Sequence, residues 1–210
     1  MRLILFCFTL GVAATHAEPG GSAPIPTIAL YTLYQAAPPR AVIESLREEL
    51  DTIMAPTDLR FDWRSLDSVR EKETFTEVVV VTFNGRCDPA EPALRSKSEI
   101  ALGFTHVSDG QILPFTELHC DRVRSFLQRE LFLLGPADRE TAFGRALGRV
   151  LAHELYHILA NTMRHGAGIS KEGYTVQDLV CEEFHFRQEE TLSLRAWKER
   201  MHGDSLPSAM

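Results

Sequence analysis

Several large classes of protein leave marks that this sequence does not carry. No stretch approaches the ~18 consecutive apolar residues that a membrane-crossing helix needs, which argues against an integral membrane protein. No two of the four cysteines are spaced as C-x-x-C, which argues against a cysteine-built metal cluster. Positive charge is in deficit, with 22 Lys and Arg against 29 Asp and Glu and a net charge of -7. A chain of this sign has no electrostatic footprint for nucleic acid or for anionic lipid. Internal repeats are absent, and low complexity is confined to 18–26, where Pro, Gly, Ser and Ala cannot bury much surface. With 44% apolar and 24% charged residues over 210 positions, the composition is that of an ordinary globular chain, for which one domain is the default.

The N-terminus reads as an export signal. Arg2 is followed by an apolar run from Leu3 to Ala14 and by Thr15-His16-Ala17, a small-residue cleavage site. This divides the chain into a signal peptide over 1–17, a flexible leader over 18–26, a folded domain over 27–202 and a flexible tail over 203–210. The destination is a secreted or periplasmic one, and no membrane segment remains after cleavage; an uncleaved N-terminal anchor is the alternative. Cleavage removes Cys7. Of the remaining three, Cys87 and Cys120 each end a strand-like run beside a polar turn and form the candidate disulfide in an oxidising compartment. Cys181 then reads as a buried free thiol.

Period-2 and buried-run patterns predict strands over Ile28–Tyr34, Leu59–Trp63, Phe75–Phe83, Ile100–Val107 and Ile112–Phe115, with Asp109-Gly110 as a hairpin turn. Helical spacing predicts an amphipathic helix through Val42, Leu46, Leu50 and Ile53. A second runs from Asp121 to Leu134, a third from about Asp138 to Asn161, and a last one starts at Thr175 with Asp178 completing a capping box and Leu179, Phe186 and Leu192 on its apolar face. The expected fold is α+β. A mixed sheet of about four to five strands packs on the third helix, and a C-terminal helix closes the lower half as a single, monomeric unit.

The third helix carries His153-Glu154-Leu155-Tyr156-His157, an HExxH motif. Residues four apart share a helix face, so both imidazoles can reach one zinc ion at ~2.0 to 2.1 Å. Glu154, beside the first ligand, is placed to take a proton from a zinc-activated water and return it to a leaving amine. A third ligand is needed. His165 is the leading candidate, but eight residues of continued helix would carry it about 12 Å past His157. The helix must therefore break, and Asn161, Gly166 and Gly168 can turn the chain back. Glu182, Glu183 and His185 are the competing ligands. Tyr174 is a candidate oxyanion donor; His106, His119, Trp63 and Trp197 read as surface or packing residues.

The segment His153 to Gly168, HELYHILANTMRHGAG, resembles the zinc-binding segment of the metzincin-like zinc metallopeptidases within the zincin group. The order of strand, helix, strands, hairpin-like edge strand and motif helix is similar to their N-terminal subdomain. The resemblance implies a zincin-like fold and a metallopeptidase with one zinc ion. His153, His157 and His165 would be its ligands, Glu154 general base and acid, and the strand from Ile100 to His106 the upper edge of a cleft that pairs with an extended peptide or protein substrate. That family's pattern HExxHxxGxxH would place Gly at Ala160 and the third His at Met163, whereas here the His comes two residues later. Gly168-Ile169 stands where a methionine turn is expected, and no Met follows before Met201. A zinc-stabilised binding module without catalysis and a zinc amidase acting on a non-protein amide are the alternatives.

Overall fold

Eight residues that alternate little and bury on both sides, Thr27–Tyr34, form the first strand, β1. The computed structural model describes residues 27–68, 75, 77–91 and 101–203. After β1 the chain crosses through α1 (Arg40–Met54) to β2 (Arg60–Ser65) and then to β3 (Glu77–Asn84); β4 (Gly103–Ser108) and β5 (Gln111–His119) form a hairpin. The sheet order is β2-β1-β3-β5-β4. β1, β2, β3 and β5 run parallel, and β4 pairs antiparallel to β5 at the sheet edge. This is the expected mixed sheet, with five strands. Asp109 and Gly110 both adopt positive φ, 51° and 77°, the geometry of a tight two-residue hairpin turn. The signal and leader predicted over 1–26, Ile100, and the tail beyond Gly203 lie outside the described residues.

The helices that follow are α2 (Cys120–Phe126), α3 (Gln128–Phe132), α4 (Pro136–Leu159), α5 (Val176–Val180) and α6 (Gln188–Gly203). None of the described helices is long and apolar enough to cross a membrane. α4 carries the HExxH motif and packs against α1 and against β4 and β5 of the sheet. Its approach to α1 depends on two glycines one turn apart: a Cβ on Gly144 would stand 2.5 Å from the Val42 carbonyl oxygen, and one on Gly148 2.8 Å from that of Leu46. Phe143, Leu147, Val150, Leu151 and Leu155 are buried with Ile28, Leu30, Val79, Val81 and Leu118 in one core. Cys87 and Cys120 form a disulfide that ties the end of β3 to the start of α2. Beside it buried Arg124 donates to the carbonyls of Arg86 and Asp88 at 2.6 and 3.0 Å.

Three expectations are corrected. The helix predicted from Asp121 to Leu134 is two helices, because Leu127 leaves helical geometry at φ -94°, ψ 5°. Hydrogen bonds Leu127 N to Val123 O and Leu131 N to Leu127 O span the break, so the apolar spacing survives it. The last helix is also two, separated by 181–187. Its N-terminal capping box at Thr175 and Asp178 is present, but the carbonyls that continued helix would use are taken by arginines of α4. Arg149 donates to Asp178 O at 2.8 Å and Cys181 O at 2.7 Å, and Arg145 reaches Cys181 O and Glu182 O at 3.2 and 3.3 Å. Leu192 is consequently exposed, while Leu194 and Trp197 enter the core. Finally, Cys181 is a half-buried free thiol in that connecting segment rather than a buried one on a helix. Arg149 itself is fully buried and pairs with Glu49 of α1 at 2.6 Å, which Arg145 also contacts at 3.2 Å.

Candidate metal centre

α4 is helical through the whole motif, so His153 and His157 project from one face and their Nε2 atoms stand 3.0 Å apart. Each ring is fixed through its other nitrogen. His153 Nδ1 is 2.8 Å from the Ile169 carbonyl oxygen, and His157 Nδ1 is 2.7 Å from that of Thr162. A carbonyl only accepts, so both Nδ1 atoms carry the proton, and both Nε2 atoms present lone pairs. Two lone pairs aimed at each other at this separation are accommodated by a shared cation. The donor set, imidazole nitrogens backed by backbone carbonyls, is one that suits zinc.

The helix ends where the third histidine requires it to. Asn161 takes the left-handed conformation at φ 49° and reverses the chain, and His165 returns to the pair. Its ring is 5.5 Å from that of His153, nearly parallel at 21°, and 5.0 Å from that of His157 at 88°. One nitrogen from each of His153, His157 and His165 lies within 4.8 Å of the others; this is the metal-competent group of three among the described residues. Glu182, Glu183 and His185 are not part of it. They lie exposed on the 181–187 connection.

Burial sets the charge states. It pulls His153 down to about 4, overriding the Ile169 hydrogen bond, and lowers His157 as well. Neutral imidazole, the ligating form, is therefore kept well into acid. Burial raises Glu154 to about 7 against the lowering influence of its hydrogen bond from Thr105, so at neutral pH its carboxyl is poised between accepting and releasing a proton.

Four features of the site were not visible in the sequence. Thr105 on β4 donates to Glu154 Oε2 at 2.8 Å. The carbonyls of Thr162 and Ile169 orient His157 and His153, and no side-chain pattern announces them. Glu190 on α6 is buried, accepts from Arg187 N at the start of its own helix at 2.7 Å, and grips the loop after His165 through Ser170 N at 2.7 Å and Ile169 N at 3.3 Å. Glu190 stands three residues past its N-cap, where a carboxylate reaching back to the helix start is common, which is the one signal available. Tyr174 places its ring 5.5 Å from that of His153 and donates its hydroxyl to the Ile169 carbonyl; burial raises its pKa well above the usual value. His106 pairs with Glu117 at 2.9 Å, and His119 lies beside the ring of Phe104. Trp197 is buried in the core, and Trp63 packs under Arg47.

No protein-family model matches the chain, and no curated protein matches it. Among solved structures, it is similar to the crystal structure of archaemetzincin from Methanopyrus kandleri, with 12% sequence identity and a TM-score of 0.47, over 83% of this chain and 96% of that one.

Proposed function

We propose that this protein is an exported zinc-dependent metallohydrolase that cleaves peptide bonds, with His153, His157 and His165 holding one zinc ion and Glu154 serving as general base and then acid. The observation that carries this reading is the convergence of two carbonyl-backed imidazoles and a third histidine beside a buried carboxyl. When bound, zinc supplies Lewis acidity, which makes water a nucleophile at neutral pH and polarises a carbonyl. Glu154 takes the proton from the attacking water and hands it to the departing amine. The backbone carbonyls of Ile169 and Thr162 hold the ligand rings so that the site does not reorganise between these steps.

His165 is exposed whereas His153 and His157 are buried, which supports an approach for substrate on the His165 side. A structural zinc, by contrast, is enclosed by four protein ligands. β4, the antiparallel edge strand, packs against α4 at Glu154, and an extended peptide is the partner such an edge accepts. In this reading Tyr174 supports His153, since it would have to leave the Ile169 carbonyl to serve an oxyanion. Export rests on the Leu3–Ala14 run and the Ala17 cleavage site, and the Cys87–Cys120 disulfide fits an oxidising destination.

The test is metal content and peptide cleavage together. Purified wild type should carry about one zinc per chain, as a single HExxH-type site holds, and His165→Ala should lose it. Glu154→Gln should keep the metal but cleave a mixed pool of quenched fluorescent peptides at least about a hundredfold more slowly. A wild type that takes up no zinc on supplementation would end the proposal.

A further inference from the structure

A carboxylate that moves a proton works best when its plane is set before the substrate arrives. Glu154 sits on α4, but the group that holds its carboxylate comes from another element. β4 turns Gly103 and Thr105 inward, toward α4, and both are buried. At Gly103 a Cβ would lie 3.0 Å from Val150 Cγ1 and 3.1 Å from both Glu154 Oε1 and the Glu117 carbonyl oxygen. The bare backbone there lets the edge strand settle on the motif helix. Two residues on, on the same face, Thr105 Oγ1 reaches Glu154 Oε2 at 2.8 Å, closer than its second acceptor, the Glu154 carbonyl oxygen, at 3.2 Å. The β4–β5 register shifts just beyond this point, between Thr105 and Val107, with the extra residues on β5. Thr105 and Glu154 are 7% and 4% exposed, so bulk water does not compete for this bond.

We infer that Thr105 is a positioning residue for Glu154, with Gly103 as the opening that lets it reach; the inference rests on the reading of Glu154 as the base. The hydroxyl fixes one carboxylate oxygen by a hydrogen bond and so fixes the direction in which the other can take a proton. A methyl group in its place would keep the packing and release the carboxylate to rotate.

The test loads wild type, Thr105→Val, Thr105→Ala and Thr105→Ser with cobalt(II). It measures metal per chain and then acetohydroxamate affinity from the cobalt visible bands. A hydroxamic acid gives up its proton to a neighbouring base as it binds a metal, so its affinity reports where the Glu154 carboxylate stands without requiring any turnover. All four proteins should hold the same cobalt. Thr105→Val and Thr105→Ala should bind acetohydroxamate about tenfold more weakly, the effect of losing a hydrogen-bonding partner behind a working group, while Thr105→Ser should stay within about twofold of wild type. On any peptide the wild type cleaves, the loss should fall on kcat with KM unchanged. If Val and Ala variants bind acetohydroxamate as wild type does, the inference is overturned and the metal reading stands. If wild type takes up no cobalt, both fall together.

Discussion

Replacing Glu154 by Gln in chelator-treated protein should change the shape of its stability against pH. Two buried groups titrate here in opposite senses. His153 is pulled from 6.5 to about 4 by burial. The unfolded chain therefore takes up this proton first as pH falls, and stability present above about 6.5 is lost on the way down to 4. Glu154 is raised from 4.5 to about 7 by burial. The folded protein holds this proton longer, and the stability it gives below 4.5 is lost as pH rises through 7. Each displacement corresponds to about 3 kcal/mol over its full window. Between pH 5 and 7.5 the His153 contribution alone rises by about 2 kcal/mol while that of Glu154 falls by a similar amount. The two nearly cancel in wild type. Gln does not titrate, so in Glu154→Gln the histidine slope is exposed, and His157, shifted the same way, adds to it. Urea unfolding followed by circular dichroism reads this directly. At about 2 kcal/mol per molar urea, the variant's midpoint should move up by about 1 M from pH 5 to 7.5, while that of wild type moves by less than half as much. Parallel midpoints for the two proteins across this range would refute the opposed burial of the two groups.

Arg149→Met should destabilise the fold by about 2–3 kcal/mol, because half-buried Glu49 would keep only Arg145 and the Asp178 and Cys181 carbonyls would lose their donor; chemical denaturation measures it. Glu190→Gln should lower zinc affinity by about 10- to 100-fold while the α4 helix stays intact, since the loop that orients His153 loses a charged acceptor. Competition with a chromogenic chelator gives that number. Cys87→Ser with Cys120→Ser opens a link across 33 residues, and should cost about 2–4 kcal/mol of stability in a urea titration.

Local chemistry made part of this molecule readable. His153 and His157 were legible because a four-residue spacing means one helix face wherever the helix packs. Asp109-Gly110 and the Thr175–Asp178 capping box are equally local, and each stands where expected. The break at Leu127 leaves no mark in the sequence because the i to i+4 spacing continues across it. The break at Cys181 is hidden for another reason: its carbonyl is held by Arg149 and Arg145, more than thirty residues earlier in the chain, and no window of sequence contains both. Thr105 is the sharpest case. It reads as one more β-branched residue on a strand, and its relation to Glu154, 49 residues later, exists only once β4 and α4 have met.

Glu190 sets the order in which the centre can be completed. A chain emerging from its N-terminus presents His153 and His157 first and His165 soon after, but the Ile169 and Ser170 amides have no carboxylate to hold them until α6 docks. If the three histidines hold zinc as proposed, the finished alignment of His153 waits until α6 has brought Glu190 to the Ile169 and Ser170 amides.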